Sequence, residues 1–201
     1  MLCVVAGVTL SVHTAVKGPG YFETGIQRGF NAFAFFTIQS NLIVGATSLL
    51  VAIKPDRSST PFKVARLTGL VAIALTGVVY HVAIAHLLEL DTWDLAGDQL
   101  VHTAVPILAV VGWLAFGPRR LTSGRIARLS LIFPIAWFAF TLVRGSIVHW
   151  YPYTFIDVTK LGYAKVLVNC LWISLLLLGL AGGATAIDGV LGRSRGLRDP
   201  A

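Results

Sequence analysis

The sequence predicts an all-α integral membrane protein: a bundle of six transmembrane helices with both termini in the cytoplasm. Of its 201 residues, 56% are hydrophobic and only 12% are charged, and the mean hydropathy is +0.78. A soluble globular domain carries about 25% charged residues. The apolar residues are also grouped into runs of about 20, which is the length that one helix needs to cross a bilayer.

Polar connections separate six such runs, which we interpret as one domain over residues 1–192. The first run ends at a Lys-Gly-Pro-Gly sequence (17–20), which stops a helix. Its length is that of a signal peptide, but no basic residue precedes the apolar part and no small-x-small cleavage pattern follows it. The six predicted spans cover residues 1–17, 30–53, 64–88, 98–117, 129–150 and 164–187.

The basic residues predict the orientation of the bundle. Eleven of the 16 lysines and arginines lie between spans two and three or in the first turn of span three, between spans four and five, or in a short tail (193–201). Because such residues concentrate on the cytoplasmic side, we predict cytoplasmic termini in a multi-pass protein of the cell membrane. An aromatic belt at the outer interface would then contain Trp93, Trp150, Tyr151 and Tyr153. The net charge of +7 reflects this orientation, and no nucleic-acid partner is predicted.

The two cysteines, Cys3 and Cys170, lie singly within apolar runs. A metal site or a disulfide framework would need grouped ligand spacing. Isolated cysteines of this kind behave as small buried hydrophobic side chains. The sequence therefore predicts no metal and no cofactor.

Two spans carry polar groups that are costly inside a bilayer and so call for a function or a specific partner. Thr37 lies about two turns below the outer end of span two. Span four begins with Asp98 and His102, which are four residues apart and share a helix face. A carboxylate bonded to one ring nitrogen fixes the tautomer of a histidine and leaves the other nitrogen free as a base. An ester hydrolase requires these groups, so Thr37, His102 and Asp98 are the candidate catalytic residues.

Pro106 marks a second feature of span four. Because proline has no N–H, the carbonyl group of His102 loses its helical partner, and we predict a kink there. Irregular backbone beside a polar group inside a membrane is common at cavities.

Five further polar residues are predicted to lie in the same outer layer of the membrane, where they could donate to an oxyanion or hold a substrate. Asn41, four residues after Thr37, shares a helix face with it. An arginine offers a planar fork of donors that suits a fatty-acid carboxylate. Depth alone supports this grouping, so lateral proximity is a hypothesis. The five residues are Asn41, Arg144, His149, His81 and His86.

The candidate residues also have structural alternatives. Thr37 could donate to the Phe33 carbonyl group one turn earlier, and Asp98 could cap the N-terminus of span four. Arg144 could extend to the outer headgroups, and His149 could belong to the aromatic belt. Polar contacts between helices are the alternative for His102 and Asn41.

Three short motifs stand out along these spans. Phe36-Thr37 begins span two after a connection rich in glycine and aromatic residues. Span four begins with a His-Thr pair followed by a proline (102–106), and span five ends at His-Trp-Tyr-Pro (149–152).

These motifs resemble the androgen-induced membrane protein family, multi-span threonine hydrolases that cleave fatty-acid esters of hydroxy fatty acids. The chain looks like a bacterial relative of that family from about residue 20 to residue 185. In the family an intramembrane threonine is the nucleophile and a histidine is its partner, and these correspond to Thr37 and His102. The resemblance implies an intramembrane lipid-ester hydrolase with its site toward the extracytoplasmic leaflet. Asp98 has no counterpart in it.

Other functions could use the same polar residues. A small transporter could relay protons or ions through Asp98, His102 and Arg144. A haem protein could use two of the five histidines as axial ligands. A membrane protein without chemistry would instead have Thr37 facing lipid and no cavity beside His102.

Overall fold

The computed structural model describes residues 1–87, 89–90 and 92–196, and all the regular structure in them is helical. The α-helices are α1 (Leu2–Lys17), α2 (Gly25–Ala32), α3 (Phe36–Ile53), α4 (Thr60–Val79), α5 (Thr92–Gln99), α6 (Val105–Phe116), α7 (Gly124–Ser130), α8 (Ile132–Val148) and α9 (Val158–Gly196). A π-helical segment, Tyr80–Ile84, extends α4, and a second, Leu100–Ala104, joins α5 to α6. Short 3-10 turns lie at Ala85–Leu87 and Thr154–Ile156.

Five helical stretches are long and apolar enough to cross a membrane, which indicates a multi-pass membrane protein. This confirms the prediction of an all-helical membrane protein, with five helical stretches of spanning length. The first predicted span corresponds to α1, which has 16 residues and is shorter than the other five. The five stretches are Phe36–Ile53, Thr60–Leu87, Thr92–Phe116, Gly124–Val148 and Val158–Arg193.

The second predicted span (30–53) is wrong at its start, because the helix breaks between α2 and α3. Phe35 has an extended backbone (φ −70°, ψ 133°) and is the N-cap of α3. A residue of another helix stabilises the break, since the indole N–H of Trp137 on α8 donates to the Ala34 carbonyl group (3.0 Å). Thr37 therefore lies in the first turn of α3 rather than two turns inside a span.

The fourth predicted span (98–117) begins earlier than expected, at Thr92. Asp98 lies inside α5, so the alternative that it caps a helix is wrong. A kink was predicted at Pro106. The irregularity observed is the π-helical segment Leu100–Ala104, which ends two residues before the proline. There the Val105 N–H bonds to the Leu100 carbonyl group, five residues back.

The remaining predicted spans lie within longer helices. Span three (64–88) begins four residues earlier, at Thr60, and its predicted last residue, Leu88, lies outside the described residues. Span five (129–150) begins at Gly124. Span six (164–187) is the central part of α9.

The predicted basic tail (193–201) begins inside a helix. Because α9 extends to Gly196, the first residues of the tail continue it. Residues 197–201 lie outside the described part of the chain.

α4 is the central helix of the bundle. It packs against α3, α6, α7 and α9, whereas α1 packs against α2 and α5. Ile73, near the middle of α4, is completely buried. α3 comes close at Gly69, where a Cβ atom would lie 3.1 Å from the Val44 backbone. By contrast, α8 buries only Thr141 and Gly145, so most of its surface is open to the surroundings of the bundle.

We expect Gly145→Ala to destabilise the C-terminal end of α8. The ring of Tyr151 packs directly on Gly145, and a Cβ atom there would lie 2.1 Å from the ring. Because this overlap forces the ring to move, the free energy of unfolding should fall by about 1–3 kcal/mol, seen as a lower thermal midpoint in detergent. Gly112→Ala in α6 is the matched control, since nothing lies within 4 Å of its Cβ position. An equal loss in the control would contradict this explanation.

Candidate active site

The hydroxyl group of Thr37 is the centre of a buried polar cluster. The residue is only 5% exposed. Its Oγ1 atom lies 3.1 Å from Nε2 of His102 and 3.2 Å from the hydroxyl oxygen of Tyr153. Because Thr37 is in the first turn of α3, its backbone N–H has no helical acceptor, and it donates to the Tyr153 hydroxyl instead (3.2 Å). Both hydroxyl partners come from other segments, so the alternative of a bond back to Phe33 is wrong.

His102 lies between Thr37 and Asp98. Its Nδ1 atom is 2.9 Å from the Asp98 carboxylate, and both side chains are mostly buried. When Nδ1–H donates to the carboxylate, Nε2 is left as the acceptor that faces the Thr37 hydroxyl. The structure thus brings together the three residues that the sequence analysis singled out as hydroxyl, imidazole and carboxylate.

Tyr80 supports both members of the Asp98–His102 pair. Its hydroxyl donates to the second carboxylate oxygen of Asp98. Its ring stacks on the imidazole, with centroids 4.1 Å apart and planes 12° from parallel. Tyr80 is 3% exposed, so these contacts fix the carboxylate and the plane of the imidazole from within the protein.

The two π-helical segments explain how Tyr80 and His102 meet. Tyr80 begins one segment and His102 is at the centre of the other. Such turns are rare and occur frequently at functional sites. α4 and α6 can approach closely beside them because Gly77 faces Pro106, and a Cβ on Gly77 would lie 3.0 Å from the proline ring.

A cavity of about 190 Å³ lies beside Thr37 and His102. Its walls come from α3, α4, α8 and α9, from the two π-helical segments and from the connection between α8 and α9, and they are mainly apolar and aromatic. Ile135 on α8 and Ser174 on α9 line the cavity and are also exposed, so it extends to the outside of the bundle. The other lining residues are Phe36, Leu75, Thr76, Val79, Tyr80, Ile84, Pro134, Trp137, Phe138, Tyr153, Phe155, Ile156, Cys170, Ile173 and Leu177.

Asn41 lies next to Thr37 on α3 but does not line the cavity. Its amide nitrogen donates to the carbonyl groups of Thr37 (2.8 Å) and Val101 (3.1 Å). Both amide hydrogens are therefore engaged, and they tie α3 to the segment that carries His102. This geometry leaves Asn41 no donor for the oxyanion role predicted from the sequence.

Arg144 and His149 are also absent from the cavity wall. The Arg144 guanidinium group donates to Asn31 Oδ1 (2.7 Å) and lies over the rings of Phe22 and Trp150, 5.6 and 5.5 Å from their centroids. His149 follows α8 with a left-handed backbone (φ 51°) and is exposed. Arg144 therefore has partners within the protein, as a deep arginine requires, but they are not the catalytic candidates.

His81 and His86 are exposed and lie outside the cavity. The ring of His81 is within hydrogen-bond distance of Thr103 Oγ1 (3.1 Å). A similar predicted depth in the membrane therefore did not bring these histidines to the cavity. The direction in which a side chain points around its helix axis also decides which residues it meets.

Sequence reasoning missed two tyrosines of the cluster. Tyr80 lies in an apolar run, where a phenol needs a hydrogen-bond partner, and that requirement was a usable signal. Tyr153 was assigned only to the aromatic belt. Burial raises the pKa of the Tyr153 phenol, so it stays protonated and can donate a hydrogen bond beside Thr37.

The fold and the cluster together indicate a multi-pass helical membrane protein with a buried Thr-His-Asp constellation. No protein-family model, no curated protein and no solved structure matches the chain. Among the described residues, no group of three or more His, Cys, Asp or Glu side chains could hold a metal ion.

Proposed function

We propose that the protein is an intramembrane hydrolase of lipid esters in which Thr37 is the nucleophile, His102 is the general base and Asp98 orients the base. One observation carries the proposal: Thr37 Oγ1, the His102 ring and the Asp98 carboxylate are in continuous contact, and Thr37 and His102 line an apolar cavity. This arrangement is the one that activates a hydroxyl nucleophile. The proposal agrees with the resemblance to the androgen-induced membrane protein family.

The first half of the reaction would transfer the acyl group to the protein. His102 Nε2 accepts the Thr37 hydroxyl proton as Oγ1 attacks the ester carbonyl carbon. The carbonyl oxygen becomes the oxyanion of a tetrahedral intermediate. When that intermediate collapses, the ester C–O bond breaks and the alcohol leaves with the proton held by His102. Acyl-Thr37 remains.

The second half would return Thr37 to its starting state. His102 accepts a proton from water as the water oxygen attacks the acyl-Thr37 carbonyl carbon. Collapse of this second intermediate breaks the bond to Oγ1, which takes the proton back from His102. A fatty acid is released, and atoms and protons balance over the cycle.

The Tyr153 hydroxyl is the donor best suited to stabilise the oxyanion, because it lies 3.2 Å from Thr37 Oγ1. We expect Tyr153→Phe to lower kcat by about 10²- to 10³-fold, as removal of an oxyanion donor does. Steady-state hydrolysis of a long-chain ester would measure this. Tyr151→Phe is the matched control, since the Tyr151 hydroxyl has no hydrogen-bond partner. Equal rates for the two variants would remove Tyr153 from this role.

The apolar lining of the cavity suits the acyl chain of the ester. Exposed Ile135 and Ser174 at its wall support a substrate that enters sideways from the bilayer. A lipid ester fits this route better than a soluble one, because its chain is already in hydrocarbon when it reaches the opening.

We also propose that α1 is a sixth span, that both termini are cytoplasmic and that Thr37 lies toward the extracytoplasmic leaflet of the cell membrane. Thr37 is in the first turn of α3, whereas Lys54 and Arg57 follow the last turn of the same helix. Basic connections favour the cytoplasmic side, which puts the opposite end of α3 outside.

The contacts give less support to a haem protein or a transporter, two of the alternatives considered from the sequence. Both ring nitrogens of His102 are engaged, by Thr37 and Asp98, so neither is open to a haem iron. A relay through Asp98, His102 and Arg144 lacks continuity, because Arg144 bonds to Asn31 instead.

The test uses the purified protein in lipid nanodiscs. Nitrophenyl esters with short, medium and long acyl chains would be assayed for hydrolysis, and a lipid-like fluorophosphonate would be located by peptide mass spectrometry. We expect hydrolysis that favours the longer chains, and a label on Thr37. Absence of both hydrolysis and labelling would overturn the proposal, and a label on another hydroxyl would overturn the assignment of Thr37.

A further inference from the structure

A second cluster of interest lies at the other end of α3, where the chain turns into α4. The guanidinium group of Arg57 lies over the ring of Phe62, 5.8 Å from its centroid, and its Nε atom is buried without a hydrogen-bond partner. Arg66 follows Phe62 by four residues and so lies on the same face of α4. Arg66 is half-buried. Arg57 therefore contacts the buried ring of Phe62, and Arg66 lies one helical turn further along the same face of α4.

The positive charge of these arginines is not neutralised within the described part of the chain. The ion pairs there are His102–Asp98 and Lys160–Asp157. Asp56, the acidic neighbour of Arg57, is exposed and forms no ion pair. Withdrawing a cation from water without a counter-ion is costly. An anion at this corner would compensate the charge of the two half-buried arginines.

The start of α4 adds further positive potential at the same place. Its N-cap, Ser59, makes no side-chain hydrogen bond to the first turn, so no side chain caps the N–H groups there. The helix dipole also favours an anion at this end. Lys63 lies in the same turn as Phe62 and extends the cluster.

The surroundings favour a lipid over a free ion. Three residues near the C-terminal end of α3, Leu49, Leu50 and Ile53, are exposed and apolar. Arg57 follows the last of these apolar residues by four positions, and both arginines lie where two helices of spanning length meet. A phospholipid matches this surface, because its phosphate group complements the arginines and its acyl chains complement the exposed apolar residues.

We propose that Arg57 and Arg66 bind the phosphate group of an anionic glycerophospholipid at the α3–α4 end of the bundle. The planar forks of the two guanidinium groups donate to the phosphate oxygens. The uncapped first turn of α4 faces the same charge. The acyl chains lie along the exposed apolar surface of α3.

The experiment compares lipid affinity in purified, delipidated protein. Native mass spectrometry would measure binding of phosphatidylglycerol and phosphatidylcholine. We expect tighter binding of phosphatidylglycerol, and an Arg57→Gln/Arg66→Gln variant should lose about thirtyfold in that affinity, or about fivefold per arginine. The matched control is Arg125→Gln/Arg128→Gln, which removes the same charge from exposed residues of α7. It should keep near-native affinity.

A gentler variant covers the case in which the double glutamine variant does not fold. Arg57→Lys/Arg66→Lys keeps the charge but loses the fork, so an intermediate loss is expected. Equal phosphatidylglycerol affinity in wild-type and arginine-substituted protein would overturn the proposal. So would equal affinity for the two lipids, or inorganic phosphate that binds as tightly as the lipid.

Discussion

Replacing Thr37 with alanine is expected to abolish hydrolysis of a long-chain ester and labelling by a lipid-like fluorophosphonate. The variant removes the atom that attacks the ester carbonyl carbon, so kcat should fall by about 10⁴- to 10⁶-fold. The fold should survive, because the hydrogen bond from the backbone N–H of residue 37 to Tyr153 does not depend on the side chain. Rate measurements and mass spectrometry on the same monodisperse preparation would record both effects.

Two variants act as controls for this result. Thr37→Ser keeps a hydroxyl group at the same position and should retain measurable hydrolysis and labelling. Thr76→Ala removes another threonine hydroxyl from the cavity wall, one that contacts Ser40 rather than His102, and it should leave labelling intact. Undiminished labelling of Thr37→Ala would show that the nucleophile is elsewhere.

Replacing His102 with glutamine is expected to cost about as much as losing Thr37. Glutamine keeps a polar side chain of similar length, but it cannot accept and return a proton, so the Thr37 hydroxyl is no longer activated. We expect a fall of about 10⁴- to 10⁶-fold in kcat, measured by steady-state hydrolysis. Because the two residues act as one unit, the Thr37→Ala/His102→Gln double variant should be no slower than either single variant.

His81→Gln is the matched control for His102→Gln. His81 adjoins Tyr80 in sequence but is exposed and lies outside the cavity wall. Its substitution should leave kcat within a few-fold of the wild-type value. A full rate in His102→Gln, or an equal loss in His81→Gln, would exclude His102 as the base.

The proximity of Asp98 and His102 could be predicted because it is local. Four residues along a helix bring two side chains to one face, and the structure has them 2.9 Å apart. The contact of His102 with Thr37 joins residues 65 positions apart, and helical periodicity does not specify such a contact. Only the pairing of chemically complementary groups, and the family resemblance, suggested it.

The start of α3 could not be predicted from local pattern. Residues 32–36 around the break are all apolar and include no glycine or proline, so the sequence reads as continuous helix. The break depends on Trp137, which is about a hundred residues away and donates to the freed Ala34 carbonyl group. Such tertiary compensation leaves no periodic signal at the break itself.

The prediction that several further polar residues belong to the site was wrong for a related reason. Arg144 was grouped by depth, but position around the helix axis decides which neighbour a side chain meets. The structure turns Arg144 toward Asn31 and two aromatic rings. Tyr80 lies where a π-helical turn begins at the end of α4, and such a turn has no reliable sequence signature.

The π-helical turn around His102 also constrains how this protein could have diverged. A helix that lost the one additional residue of that turn would rotate everything before it by about 100° relative to α6. A deletion after His102 would turn Asp98 and His102 together away from Thr37, although every apolar residue needed to cross a bilayer would remain. Descendants could thus exchange most membrane-facing side chains freely, whereas a single-codon deletion at position 103 or 104 would separate a surviving fold from its chemistry.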